Sequence, residues 1–241
     1  MKFLSIILTL FYFSRPTHSY FKNDIINSNT IENIILRPGN HLFLTSEVNE
    51  DSKEFFINGN TDLNTKNIYV YISSNGGSVL DGNDIVENIK YLKMRNYNVT
   101  CIAKKAYSMA FHIFQHCTKR YVTSTSTLMQ HQMSLGIHGN YENIKSYLEM
   151  IDDINNEFIK HSAIRMKMSP SYFKHKIMND WWFYGKTAIK HNVADKIVTV
   201  GCDKSLYNIK YMKKKRKMGF EELFSGNNND YIELNGCPLL H

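Results

Sequence analysis

The sequence predicts an α/β fold built on parallel strands, and three observations predict it. IYVYI (68–72) is a continuous apolar run of β-branched and aromatic residues, the mark of a strand buried on both faces. Helical periods follow such runs in alternation, the pattern of parallel β-α units. The longest helical period, 141–166, carries Ile144, Tyr147, Leu148, Ile151, Ile154 and Phe158 on one side. A chain of 241 residues with 43% hydrophobic and 13% aromatic content can bury one good-sized core.

The elements follow in order. MKFLSIILTLFYFSRPTHSY opens with Lys2, an apolar run from Phe3 to Phe13, and then Thr17 and Ser19 at −3 and −1 of a cleavage site before Tyr20. No acid precedes Asp24, so residues 1–19 read as a signal-like targeting segment. A buried first helix or strand is the alternative. Such a segment points to the secretory pathway or a secondary plastid reached through it; a cytoplasmic or organellar lumen is the other option. Residues 20–40 are polar, with a turn at Pro38-Gly39. HLFLT (41–45) reads as a strand, EVNEDSKEFFI as a helix and NGNTDLNTKN as a loop. After IYVYI and the loop SSNGGSVLDG comes a helix with Ile85, Ile89 and Leu92 on one face. VTCIA (99–103) is the next strand, and Ser108 to Cys117 form a short apolar helix. RYVTS and TLMQH predict two more strands around 120–131. Beyond the long helix, Ser169-Pro170 caps another, GKTAIKHN is helical in pattern, and DKIVTV (195–200) closes the core as a strand. The principal domain is therefore 41–201. Residues 202–241, without sustained period, read as a basic flexible tail.

The charge is local. Net charge is +7, and Lys204 to Lys217 hold seven basic residues and no acid, so the remainder balances at 29 − 7 = 22 basic against 22 acidic. The run KYMKKKRK can meet an anionic surface, but a solvated segment is the simpler reading, and no specific nucleic acid is expected. No stretch of about 18 apolar residues occurs, so no spanning helix is expected. Four cysteines show no CxxC pair or metal-ligand spacing, and ten histidines show no HExxH pattern, so no metal site is expected; nor does any segment match a P-loop or a dinucleotide fingerprint. Cys101 and Cys117 read as core; a single disulfide is compatible with an oxidising compartment, and spacing does not assign it.

Four places carry chemistry-bearing residues. Gly76-Gly77 directly follow a buried strand, where glycines permit close approach of backbone N–H groups to a ligand; alone they read as a turn. Ser108 sits where a strand gives way to a helix, as at a nucleophile elbow but without G-x-S-x-G; alone it reads as an N-cap. A serine needs a base, and the base an orienting group. His131, at a strand end, is a candidate base, and Asp180, ahead of two tryptophans, a candidate orienter.

Taken in order, IYVYISSNGGSVLDG, AYSMA, LMQHQM and the stretch from Asp180 through WWFYGKTAIKHNVADKIV resemble the proteolytic subunit of the Clp protease (ClpP), over residues 41–200. The resemblance implies a ClpP/crotonase-like β-β-α superhelix of repeated units, with residues 141–166 as a protruding handle helix. It implies a serine endopeptidase with Ser108 as nucleophile, His131 as general base and Asp180 orienting the imidazole. Gly76 and Gly77 would bind substrate as an added strand, and the N–H groups of Gly77 and Met109 would hold the oxyanion. Partners implied in the same way are peptide or unfolded-protein substrates, homo- or hetero-oligomeric rings of seven enclosing a chamber, and an AAA+ unfoldase. The sequence departs from the family pattern at Asn75, Lys104, Lys105, Met133 and Asn179. Rival readings are a catalytically inactive subunit of a mixed ring, a crotonase-like acyl-CoA enzyme, a serine–lysine peptidase using Lys104 or Lys105, and an anionic-surface binding module driven by 204–217.

Overall fold

A computed structural model describes residues 31–214 and 231–241. The signal-like segment 1–19 and the basic run beyond Lys214 lie outside the described residues.

A parallel sheet organises the described chain. Its strands are β1 (Glu32–Leu36), β2 (His41–Leu44), β3 (Asn67–Ser74), β4 (Asn98–Tyr107), β5 (Lys119–Gln130), β6 (Trp181–Tyr184) and β7 (Lys196–Cys202). The order is β1-β7-β5-β4-β3-β2, all parallel, with β6 antiparallel on β5. The helices are α1 (Glu50–Asn58), α2 (Val79–Met94), α3 (Met109–Gln115), α4 (Tyr141–Arg165), α5 (Pro170–Lys176) and α6 (Lys186–Lys190). Alternation along β3 explains its continuous apolar run. Ile68, Val70 and Ile72 face a core shared with α2, α3 and α4, while Tyr69 and Tyr71 face a second core on the opposite side.

Local chemistry sets the helix ends. Asn49 and Ser52 form a capping box on α1, and Ser169 accepts from the Tyr172 N–H with Pro170 at the first position of α5. On α4, residues 141–150 bury nothing, and Ile151 is the first buried residue.

Four elements differ from the sequence reading. The strand β1, inside the segment read as polar, pairs along β7 through ENIIL, where Ile34 and Leu36 alternate into the second core. The strand from VTCIA runs on to Tyr107, so no separate turn precedes Ser108. RYVTS and TLMQH belong to one strand, β5. The β4–β5 register jumps from Ala103↔Val122 to Lys105↔Thr127, and Ser126 bridges the bulge by donating to the Ala103 carbonyl and accepting from the Thr123 N–H.

The fourth difference is the C-terminal segment, read as flexible. Its described residues form a 3-10 turn (Lys204–Asn208) and an antiparallel pair, β8 (Lys210–Lys214) with β9 (Tyr231–Asn235). Leu206, Tyr211, Leu234 and Leu239 cover Phe43, Phe55, Tyr69 and Tyr71 on the second core, and a Cys202–Cys237 disulfide ties the segment to β7. Part of the basic run is thereby used within the fold. Lys210 pairs with Glu233, and buried Lys213 donates to Ser46. Cys101 and Cys117 are core residues, as expected, and are bonded to each other.

Behind α3 lies a buried arginine. Arg120 donates to Asp195 Oδ1 at 2.5 Å, to Gln115 Oε1 at 2.6 Å and to the Asn192 carbonyl at 2.9 Å. It thereby joins the end of α3 to the start of β7. Burial pushes the Asp195 carboxyl up, but the hydrogen bonds and charge of Arg120 outweigh it and hold the group below its usual range.

Candidate active site

The site forms where β3, β4 and β5 reach their carboxyl ends. β4 runs directly into Ser108, whose φ of 52° and ψ of −121° turn the chain into α3. Two backbone hydrogen bonds hold that strained turn. The Ser108 N–H donates to the Met129 carbonyl at 2.9 Å, and the His112 N–H donates to the Ser108 carbonyl at 3.2 Å. Ser108 occupies the N-cap position, but its hydroxyl does not cap the helix. Its partner is His131, with Nε2 2.8 Å from Oγ. For Nε2 to accept that hydroxyl proton, the imidazole must carry its own proton on Nδ1.

Gly76 and Gly77 take φ values of 89° and 141°. A Cβ on Gly76 would stand 2.5 Å from the Tyr107 carbonyl and 2.9 Å from both Met109 N and Ser108 Cβ, so only glycine lets this loop lie against the serine turn. A Cβ on Gly77 would overlap the Val48 carbonyl. Val48 N–H donates to Gly76 and Ser78 N–H donates to Val48, at 2.8 and 2.7 Å. That parallel bridge turns the N–H of Gly77 itself away from Val48. The N–H of Met109, first in α3, has no acceptor within its helix.

Asp180 stands exposed immediately before β6. The β5–β6 register pairs Gln130 with Trp181. One further step of that register sets His131 opposite Asp180, a separation side chains can span. Among the described residues no hydrogen bond joins them, and His131 Nδ1 has no partner. The structure thus brings Ser108 and His131 into contact, packs Gly76 against Ser108, and leaves the Asp180 carboxylate unjoined. Among the described residues neither Lys104 nor Lys105 is hydrogen-bonded to Ser108: the Lys104 ammonium donates to Thr125 Oγ1 at 2.7 Å, and that of Lys105 lies 5.9 Å from the Tyr107 ring.

A cavity of about 30 Å³ opens beside the serine, room for one or two waters. Ser108, Met109 and His131 line it with Gln130, Asn155 and apolar side chains from α4 and α5. Gln130 and Asn155 went unnoticed in the sequence, since a lone amide carries no pattern; the position of Gln130 beside His131 was the available signal. Among the described residues no cluster of three or more His, Cys, Asp or Glu is arranged to hold a metal ion. Nor is any described helix long and apolar enough to cross a membrane.

Comparison with known proteins agrees with this geometry. The family model for Clp protease matches residues 27–201. The chain is 27% identical over 135 residues to the ATP-dependent Clp protease proteolytic subunit 3 of Streptomyces avermitilis, covering 55% of this chain and 61% of that protein. It is 27% identical to proteolytic subunit 2 of Bifidobacterium longum, covering 56% of this chain and 65% of that one. For proteolytic subunit 2 of Tropheryma whipplei the identity is 26%, with 58% and 78% covered. The chain thus spans less than two thirds of the first two relatives. A match over most of the chain, on a parallel α/β sheet, shows that the chain belongs to the Clp protease family.

Proposed function

We propose that the chain is a serine-type endopeptidase acting within an oligomeric ring. The observation that carries this reading is the 2.8 Å contact between His131 Nε2 and a serine hydroxyl held at a strained helix start. In the proposed reaction Ser108 Oγ attacks a peptide carbonyl as His131 Nε2 takes its proton. The Gly77 and Met109 N–H groups receive the oxyanion. His131 then hands the proton to the leaving amine, and water, activated by the same imidazole, releases the acyl group from Ser108. Substrate lies as an added strand along the Gly76-Gly77 loop. Neither metal nor organic cofactor enters any step.

Asp180 completes the set by accepting from His131 Nδ1–H. The register across β5 and β6 supports this role, and a rotamer change on substrate binding or ring assembly would make the bond. Asp180→Asn is expected to lower kcat by about 10²-fold or more. Steady-state peptide cleavage by the assembled variant checks this. Gly76→Ala is expected to cost on the order of 10²-fold, because its methyl group must displace the Met109 N–H. The check is the same assay on a sample whose circular dichroism matches the parent.

A second reading is favoured by one observation, the unjoined Asp180. On it the chain is a non-catalytic member of a mixed ring. Native mass measured together with cleavage of a fluorogenic peptide separates the two. A ring-sized assembly that cleaves supports the peptidase, and an intact ring that never cleaves supports the inactive subunit. The serine–lysine alternative loses ground, since the Ser108 hydroxyl meets His131 and the Lys104 ammonium is engaged by Thr125.

A further inference from the structure

β5 sends Ser126, Leu128 and Gln130 to its buried side. Ser126 satisfies its hydroxyl across the bulge, and Leu128 is in the core. Gln130 is only 8% exposed, and its side-chain Oε1 is buried with no hydrogen-bond partner. An apolar side chain would fill this position without that penalty, and native interiors rarely leave such groups unmatched.

The orphaned amide lines the cavity beside Ser108 and His131. The other walls are apolar, including Val79, Phe158, Phe173 and Ile177, apart from a second amide, Asn155. No ionisable side chain but His131 reaches this space. Beyond it, a cavity of about 190 Å³ shares Met133, Asn155, Ile159 and Ile177 with the first and is lined farther out by Asp152 and Lys174. An apolar slot with two neutral amides, one unpaired, is complementary to a side chain that is uncharged and carries both a donor and an acceptor.

We propose that Gln130 is a specificity-determining residue, and that the peptide residue whose carbonyl Ser108 attacks carries a neutral carboxamide, as glutamine and asparagine do. This deepens the peptidase reading and rests on it. A bound carboxamide pairs with Gln130 and relieves its burial, whereas an apolar side chain of the same length leaves it unpaired. A site of that kind discriminates against the analogue lacking the hydrogen bond more sharply than an apolar pocket discriminates by size.

The test uses the assembled full chain and two fluorogenic peptides that differ only in having glutamine or methionine at the attacked residue. The parent protein is expected to show a kcat/KM for the glutamine peptide at least about ten-fold higher. In Gln130→Met that ratio is expected to fall to one or invert, with the methionine peptide gaining through KM. Gln130→Leu provides a second apolar variant if the first is poorly folded, and is expected to behave alike. An equal ratio in parent and variants, with Ser108 still labelled by a fluorophosphonate, overturns the role of Gln130 alone. Absence of both labelling and cleavage overturns the peptidase reading, and this proposal falls with it.

Discussion

Ser108→Ala is expected to reduce peptide hydrolysis on the order of 10⁴- to 10⁶-fold while leaving the melting temperature unchanged. The two halves of that expectation have separate physical grounds. The hydroxyl makes a single side-chain hydrogen bond, to His131, and does not cap α3. Its loss therefore removes the proposed nucleophile without uncapping the helix. The backbone at φ 52° is held by the N–H to Met129 and by the carbonyl accepting from His112, and alanine retains both. Alanine at that φ is strained to much the same degree as serine. His131→Ala is expected to cost a similar factor, whereas a serine–lysine enzyme would lose little. Initial rates on a fluorogenic peptide and thermal unfolding of the same samples check both statements.

The second large effect is loss of stability in acid. Three histidines meet between α3 and α4. His116 and His161 stack with centroids 3.7 Å apart, His112 Nε2 lies 3.1 Å from His116 Nε2, and His112 stacks on Phe158 at 3.5 Å. A 3.1 Å contact between two ring nitrogens requires one of them to accept, which an imidazolium cannot do. Burial lowers all three pKa values, that of His116 to about 3; repulsion from His116 and His161 lowers His112 further and that from His161 lowers His116, while the hydrogen bond to the Gln115 carbonyl partly offsets the lowering at His161. Lys90 on α2 adds to the lowering at all three, and Lys93 and Arg165 at His116 and His161. Glu87, Asp153 and Glu157 line a surface cavity with these histidines, and Glu87 and Glu157 pair with Lys90 and Lys160.

These histidines stay neutral in the folded chain below pH 6.5, whereas the unfolded chain binds protons there. Their contribution is present above about 6.5 and is lost as pH falls towards the folded values. Each fully neutral histidine forgoes about 1.4 kcal/mol per pH unit, so near pH 5.5 the three together cost about 2–4 kcal/mol after allowance for the partly exposed His161. That is a large part of a typical stability of about 5–15 kcal/mol. Since Ser108 is the N-cap residue of α3, activity is expected to fail with the fold. Denaturant unfolding at pH 7.5 and 5.5 measures the loss. His116→Phe and His161→Phe together are expected to flatten the dependence.

The parts of the fold that were legible in the sequence are those where one residue type answers one demand. IYVYI announced a strand buried on both faces because Ile68, Val70 and Ile72 face one core and Tyr69 and Tyr71 the other. Ser169-Pro170 announced a helix start through cap chemistry that is entirely local. Gly76-Gly77, Ser108 and His131 were each ambiguous alone, and their order along the chain singled them out. What stayed hidden depended on partners far away in sequence. ENIIL becomes a strand only because β7 offers an edge, and the C-terminal segment is ordered through Cys202–Cys237 and the aromatic surface of β2, β3 and α1. RYVTS and TLMQH read as two strands, whereas within the polar stretch TSTST the Ser126 hydroxyl bridges a bulge and the strand continues. The histidine cluster joins residues of two helices and has no signature in either. Asp180 was named from order along the chain, and register alone, not contact, links it to His131.

The most direct measurement is intact mass and peptide mapping after incubation with a fluorophosphonate, comparing the parent with His131→Ala. An imidazole 2.8 Å from the hydroxyl should activate one serine per chain. The account predicts a single adduct on Ser108 in the parent and its loss in the variant. An assembled, folded parent that takes no label, or takes it on another residue, contradicts it.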